Sequence, residues 1–302
     1  MSTIGSRVRG CFMADKSAEN HWFQRGSRVI RNLSIYAFLI MGVVISITPF
    51  VWMILTSLMS LGEAQGIRWI PSELHFENYA NAWREANFSE YFLNSVIITL
   101  ITLTGELTFS VLAAYAFARI KFPGRDAIFG LLLSTIMIPA MVNIIPNFLT
   151  VTWLGRIGPI KWINNWPALT VPFMGSVFAI FLLRQFFAQI PDELFDAARI
   201  DGAGHLRFLW TVVLPLSKAP VMVIIVLSFI GSWNALAWPL LVTNSPDWRP
   251  IAVGLYNFVE EAGQQLNLMM AGAFITIIPI LLIYFFTQKQ FTESIARSGL
   301  KG

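Results

Sequence analysis

Six apolar segments, each long enough to cross a lipid bilayer, restrict the fold of this chain more than any other feature. They cover approximately residues 33–57, 92–118, 127–151, 168–187, 219–243 and 268–287. A helix needs about 20 residues to span the hydrocarbon core, and only helices and closed barrels satisfy their backbone hydrogen bonds there. The segments are continuously apolar rather than alternating, which favours helices. The sequence therefore predicts an all-α, polytopic membrane protein with six transmembrane helices.

The composition excludes several other classes of protein. Of the 302 residues, 56% are hydrophobic and 13% are charged, whereas a soluble domain has about 25% charged residues. The net charge of +4 is explained by basic loops at a membrane surface, so we expect no nucleic-acid partner. Cys11 is the single cysteine, and His21, His75 and His205 lie far apart in the sequence. We therefore expect no internal disulfide and no metal site.

The distribution of basic residues predicts the orientation in the membrane. Sixteen of the 21 Lys and Arg residues lie in or next to the segments that share one side of the bilayer. Basic residues are enriched on the cytoplasmic side, so both termini are expected in the cytoplasm. The predicted division is a cytoplasmic tail at 1–32, a transmembrane domain at 33–287 with a cytoplasmic loop at 188–218, and a cytoplasmic tail at 288–302. Residues 1–32 are polar and basic and lack the apolar core of a cleaved signal peptide, so they are not expected to be one.

Prolines are expected to bend several spans, because proline removes a backbone donor within a helix. They are Pro49, Pro139, Pro146, Pro239 and Pro279.

Few polar groups within the spans are candidates for chemistry. We find no ATP-binding loop and no catalytic motif, so no enzymatic activity is expected from this chain. Glu106 is the clearest ionisable residue in a span; such a residue is functional by default, or it turns inward to a neighbouring helix or water. Two further polar pairs lie within the spans: Asn143 with Asn147, spaced i and i+4, and Trp233 with Asn234. Each pair either contacts a sugar or forms hydrogen bonds between helices.

Residues 190–220, which we call the elbow, are far longer than a turn between the fourth and fifth spans requires. Asp192 and Glu193 complement the positive end of a helix dipole, so a helix is predicted to begin there. Gly202 and Gly204 are expected to end it.

A second short helix is predicted at about 205–212. With its apolar residues it would form a tip that docks on a partner, or the elbow would rest on the lipid surface as an amphipathic loop. Asp196 and Arg199, at i and i+3, are expected to pair. The apolar residues of the tip are Leu206, Phe208, Leu209 and Trp210.

The sequence Asp196-Ala197-Ala198, then Gly202, then Val212-x-Leu214-Pro215 resembles the EAA loop of bacterial ABC-importer permeases, with the same spacings. The longer form IPDELFDAARIDGA is similar to the carbohydrate branch of these inner-membrane components of binding-protein-dependent transport systems. Further similar stretches lie at 76–83, 91–99, 113–126, 181–191, 232–243, 249–258 and 288–302. The resemblance covers about 76–302 and leaves the first 30 residues unmatched.

The resemblance implies a type I ABC importer permease fold and a subunit that forms half of a translocation pore for a sugar or oligosaccharide. The implied partners are a second, different permease subunit, two ATP-binding subunits and an extracytoplasmic sugar-binding protein. ATP and Mg²⁺ would be bound by the ATPase, so no cofactor is expected in this chain. The implied location is a bacterial or archaeal cytoplasmic membrane.

The resemblance also implies the residues of two contacts with the ATPase. The coupling site would comprise Asp196, Ala197, Ala198, Asp201, Gly202, Ala203, Gly204, His205, Leu206 and Phe208. The tail contact would comprise Ser298, Gly299, Leu300, Lys301 and Gly302.

Two residues depart from the family pattern. Asp196 replaces the usual Glu, which keeps the charge and shortens its reach by one methylene. Glu106 is unusual in the second span of this branch, whose members of this type often contact substrate less than their partner subunit does. The alternative function is a stand-alone, ion-gradient-driven carrier centred on Glu106.

Overall fold

The computed structural model describes residues 5–66, 68–261 and 265–299, with side chains at 31–66, 68–258 and 265–288. Within these ranges the chain is helical and contains no β-strand. The helices are α1 (Gly5–Ser57), α2 (Leu61–Ala64), α3 (Glu77–Glu85), α4 (Phe88–Arg119), α5 (Arg125–Thr135), α6 (Ile144–Ile157), α7 (Trp166–Thr170), α8 (Val177–Ala188), α9 (Asp192–Ile200), α10 (His205–Phe208), α11 (Leu214–Leu216), α12 (Lys218–Trp233), α13 (Ala237–Val242), α14 (Ile251–Glu261) and α15 (Leu266–Gly299). Short 3₁₀ turns lie at Ala140–Asn143, Val171–Phe173 and Pro246–Trp248, and a π-helical turn lies at Leu209–Val213.

Four helical segments in the described part of the chain are long and apolar enough to cross a membrane. They are Arg31–Ser57, Phe88–Arg119, Trp166–Ala188 and Leu266–Gln288. Two bent helix pairs, Arg125–Thr135 with Ala140–Ile157 and His205–Leu216 with Lys218–Trp233, bring the number to as many as six. The fold is therefore that of an all-α, polytopic membrane protein.

The third predicted window, 127–151, is broken by a bend of 93° between its two halves. α5 ends at Thr135, four residues before Pro139. A proline at that position has no N–H to offer the carbonyl four residues earlier, so the break falls where the hydrogen-bond ladder is interrupted. The bend expected at Pro139 is therefore present. Pro146 lies in the first turn of α6, where a missing N–H is tolerated.

The fifth predicted window, 219–243, is broken close to Pro239, where the sequence predicts a bend. α12 ends at Trp233, and α13 begins at Ala237 after a short non-helical segment. Pro239 lacks the N–H that would bond to the carbonyl of Ala235, which lies in this segment. At the other end, the helical segment His205–Leu216 meets α12 at an angle of 83°. By contrast, α1 and α15 continue through Pro49 and Pro279.

Helix α4 is the centre of the bundle. It packs against α8, α12 and α14 and has buried residues along most of its length. Helix α1 lies at the edge, packs mainly against α15, and leaves most of its apolar side chains exposed. The predicted N-terminal tail, 1–32, is helical from Gly5 and continues directly into the first span.

Candidate functional site

The elbow consists of α9, a glycine turn, and α10 with the π-helical turn and α11. At the end of α9, the N–H of Ala203 donates to the Ala198 carbonyl at 2.8 Å and the N–H of Gly202 donates to the Arg199 carbonyl at 3.0 Å. These two bonds form a Schellman motif, which requires a left-handed residue after the helix. Gly202 supplies it with φ of +77°. The helix–glycine–helix arrangement predicted from the sequence is therefore present.

The beginning of α9 is fixed to the end of α4 by Arg119. Its guanidinium donates hydrogen bonds to the carboxylate of Asp192 and to the carbonyl of Ile190. The Arg119 side chain is only 8% exposed, so these contacts satisfy a charge that is largely removed from water. The elbow is thereby held at its base to the central helix.

A second contact with α4 lies at the start of α10. The Tyr115 hydroxyl and His205 Nδ1 are 2.9 Å apart and share a hydrogen bond. The His205 ring also stacks on Phe195, with ring centroids 4.8 Å apart. Phe195 in turn meets Phe208 edge to face at 5.1 Å. Both short helices of the elbow are thus packed against each other and against α4.

The prediction that Phe208 and Leu209 belong to an exposed tip is wrong. Both side chains are 0% exposed and lie in a core cluster that includes residues of α4 and α8. The large apolar side chains that the elbow does expose are Leu194, Ile200, Leu206, Trp210 and Leu216, and Ile200 is the most exposed of them at 88%. The predicted tip residues did not include Ile200.

Most of the remaining predicted coupling residues are exposed. Ala198 and Ala203 are partly buried, and the others are exposed. These exposed residues are Asp196, Ala197, Asp201, Gly202, Gly204, His205 and Leu206.

The predicted pair of Asp196 and Arg199 is wrong. The salt bridges found among the described side chains do not include it. The Arg199 guanidinium lies instead over the Phe195 ring, 5.8 Å from its centroid. The carboxylate of Asp196 is therefore exposed on the outer face of α9.

A cavity of about 400 Å³ lies beside the middle of α4. Its other walls come from the segment joining α7 to α8 and from the region of α12 and α13. Glu106 lines the cavity and is 8% exposed. The polar side chains that share the wall are Thr102, Ser176, Ser228 and Ser232. The structure thus brings one carboxylate and several hydroxyls together inside the bundle.

The other polar residues predicted in the spans do not line this cavity. Asn143 and Asn147 are exposed at the start of α6, and Asn234 is exposed at the end of α12. Trp233 is buried, its indole N–H donates to the carbonyl of Thr276 at 3.0 Å, and its ring stacks on Phe229. For Trp233 the structure therefore favours bonding between helices.

Sequence reasoning missed the serines of the cavity. Ser228 and Ser232 are spaced i, i+4 on α12, and Thr102 and Glu106 are spaced i, i+4 on α4. Such paired polar residues on one face of an otherwise apolar span were the available signal.

The predicted tail contact lies at the end of the chain. Ser298 and Gly299 belong to the helical backbone of α15, whereas Leu300, Lys301 and Gly302 lie outside the described residues. No group of three or more potential metal ligands is found among the residues searched in the described ranges.

The bundle, its bent spans and its elbow define a helical, multi-pass membrane subunit with a permease-type architecture. A sequence profile described as "Binding-protein-dependent transport system inner membrane component" matches residues 106–293, more than half of the chain. The chain belongs to this family. The matched region begins at Glu106 and includes the whole elbow.

Several curated proteins are similar over most of their length. The sn-glycerol-3-phosphate transport system permease protein UgpE of Yersinia pestis is 34% identical over 76% of this chain and 82% of its own. UgpE of Brucella abortus is 33% identical over 90% of this chain and 98% of its own. The diacetylchitobiose uptake system permease protein NgcG of Streptomyces coelicolor is 30% identical over 88% of each chain.

Two solved structures share the fold. A chain of a bacterial ABC transporter involved in import of the acidic polysaccharide alginate has a TM-score of 0.76 and 25% identity, covering 86% of this chain and 96% of that chain. A chain of a bacterial alginate ABC transporter in complex with an alginate pentasaccharide-bound periplasmic protein has a TM-score of 0.63 and 14% identity. The expected ABC importer permease fold is confirmed.

Proposed function

We propose that this chain is a membrane-spanning permease subunit of an ATP-driven importer for a sugar or oligosaccharide. It forms half of the translocation pore, and a second, different permease subunit forms the other half. Two ATP-binding subunits bind ATP and Mg²⁺, and an extracytoplasmic binding protein delivers the sugar. Both termini and the elbow face the cytoplasm of a bacterial or archaeal cell. Membership of the family and a relative named for diacetylchitobiose uptake support this function.

The observation that carries the coupling role is the contrast between the two sides of the elbow. Its inner side is fixed to α4 through Arg119 and Tyr115. Its outer side exposes the apolar side chains of Ala197, Leu206 and Ile200. An element that is fixed at its base and exposes apolar side chains on its outer face is suited to transmit a partner's movement to the spans.

The tail residues 298–302 extend the same proposal to the end of α15. We expect them to contact the ATP-binding subunits, as the family resemblance implies.

Replacing Gly202 by proline tests the coupling role. Proline fixes φ near −65° and has no N–H, whereas Gly202 has φ of +77° and donates to the Arg199 carbonyl. The variant should disrupt the turn and leave the spans intact. We expect the complex to copurify with its ATP-binding subunits while ATP hydrolysis no longer drives uptake in proteoliposomes.

Gly204→Ala is the matched control, because Gly204 has φ of −79° and open space around an added Cβ. It should behave as the native protein does. Normal coupled uptake by Gly202→Pro would refute the role of the elbow.

The alternative, an ion-driven carrier, is favoured by one observation, the carboxylate of Glu106 inside the bundle. It predicts that this chain transports alone, that transport requires an ion gradient, and that Glu106→Gln abolishes it. Gradient-independent uptake that requires ATP and the copurifying subunits would exclude this alternative.

A further inference from the structure

Glu106 has an unusual environment for a carboxylate within a membrane span. Among the residues with described side chains it forms no hydrogen bond and no ion pair, although it is only 8% exposed. Thr102 lies one turn earlier on the same face of α4, and its buried hydroxyl also has no partner in the described structure. Buried polar groups are usually hydrogen-bonded, so a carboxylate and a hydroxyl that line one cavity without a described partner favour a polar ligand there.

The rest of the cavity wall restricts the chemistry of that ligand. The volume of about 400 Å³ is within the range of roughly 300–1,000 Å³ that small-molecule sites occupy. Phe173, Phe178 and Trp238 contribute aromatic rings to the wall. Ser228 adds a hydroxyl from α12 that forms no bond to another described side chain. The wall is therefore mostly apolar and aromatic, with a few separate hydrogen-bonding groups.

A metal cation, including sodium, does not fit this arrangement. Hard cations are coordinated by about six oxygen ligands at short distances, and here a single carboxylate faces a much larger space. An anionic ligand does not fit either, because Glu106 carries the same sign of charge. None of the described residues that line the cavity is Lys or Arg, so no positive charge offsets the repulsion.

We propose that this cavity is a binding subsite for a neutral, polyhydroxylated sugar and that it discriminates against anionic substrates. The sugar hydroxyls donate hydrogen bonds to the Glu106 carboxylate and exchange hydrogen bonds with Thr102 and Ser228. Its apolar C–H face packs on the aromatic rings. Phe178 and Leu227 at the wall are about half exposed, so the cavity opens on the side of this chain. The proposal rests on the proposed import function, in which a second permease subunit closes that side.

Cysteine labelling of the assembled importer tests both parts of the proposal. The single native cysteine is removed by Cys11→Ser, and Gly231→Cys places a thiol in the cavity, where an added Cβ meets nothing within 4 Å. Gly62→Cys is the matched control, because Gly62 is exposed on α2, away from the elbow, and an added Cβ there also meets nothing within 4 Å. Each variant reacts with a cationic methanethiosulfonate (ethylammonium) and an anionic one (ethylsulfonate), and labelling of this chain is followed by mass spectrometry.

For each variant we compare the rate of the cationic reagent with that of the anionic reagent. We expect this ratio to be about tenfold higher for Gly231→Cys than for Gly62→Cys, which corresponds to ~1.4 kcal/mol. Adding Glu106→Gln should reduce the ratio to that of the control. At least one of three neutral probes should slow labelling of Gly231→Cys: N-acetylglucosamine, maltose or diacetylchitobiose. The anionic probes sn-glycerol-3-phosphate and galacturonate should not slow it.

Equal reaction of the two reagents in the Gly231→Cys protein would overturn the charge selectivity. Protection by an anionic probe, by sodium ions alone, or by none of the neutral probes would overturn the sugar subsite. The protection measurement retains native Glu106, so it remains decisive if the Glu106→Gln protein fails to assemble. If the native chain does not copurify with ATP-binding subunits, the proposed function fails rather than the subsite.

Discussion

Phe208 and Leu206 lie two residues apart on α10, and the structure predicts opposite consequences for their loss. Phe208 is fully buried and meets Phe195 at 5.1 Å, whereas Leu206 is 63% exposed. Removing a buried phenylalanine side chain costs about 3–5 kcal/mol through lost burial and the cavity left behind. At roughly 2 °C or more per kcal/mol for a chain of this size, Phe208→Ala should lower the melting temperature by roughly 6–10 °C. Leu206→Ala should leave it nearly unchanged.

Binding to the partner should show the reverse order. If the exposed face of the elbow contacts the ATP-binding subunit, Leu206→Ala removes an apolar contact and weakens copurification without affecting folding. The assay is a thermal melt of the purified chain in detergent, together with quantitation of the ATP-binding subunits that copurify. The reasoning would be refuted if Phe208→Ala melted like the native protein but lost the partner as Leu206→Ala does. That outcome would mean that Phe208 is exposed and contacts the partner, as the sequence predicted.

Two further predictions concern the end of the bundle opposite the elbow. Gly254→Ala should strongly destabilise the protein in the same melt, because the added Cβ would lie 2.1 Å from a Tyr91 ring carbon. Gly130→Ala is the control, because there is open space around the added Cβ. It should melt at or above the native temperature, since alanine favours a helix more than glycine does. The Glu63 carboxylate accepts hydrogen bonds from Ser72 and Ser60. These bonds lower the pKa of Glu63 from 4.5 to about 2. Its stabilising effect is therefore complete above about pH 4.5 and lost as the pH falls toward 2, so the difference in melting temperature between native protein and Glu63→Gln should disappear over that interval. A difference that grew on acidification would contradict this assignment.

The apolar windows predicted where the helices lie, because length and continuous apolarity are local properties of the sequence. The breaks within them were less predictable. Pro49 and Pro139 look alike in the sequence, yet α1 continues through Pro49 and α5 ends four residues before Pro139. A proline removes a donor, and its ring clashes with the carbonyl four residues earlier. Whether the helix continues depends on how its neighbours satisfy that carbonyl. That information lies in the packing of the bundle.

The same distinction applies to the candidate sites. The turn at Gly202 could be predicted, because a left-handed residue after a helix is a local requirement. The burial of Phe208 could not be predicted, because a four-residue helix is too short for its periodicity to define an inner face. Phe208 is buried because it packs in a cluster with residues of α4 and α8. Glu106 was conspicuous in the sequence, but its cavity depends on the approach of Ser228 from a distant span.

The two candidate sites are connected by a single unbroken helix. Tyr115 and Arg119, which hold the elbow, lie on α4 together with Glu106, which lines the cavity. Nine residues separate Tyr115 from Glu106, a distance of about 14 Å along the helix axis. A continuous helix resists bending over two or three turns, so a displacement of the elbow moves α4 largely as a rigid rod. The wall of the cavity that carries Glu106 would therefore shift relative to the serines of α12, and an elbow driven by an ATPase would change the sugar contacts without any intervening hinge on α4.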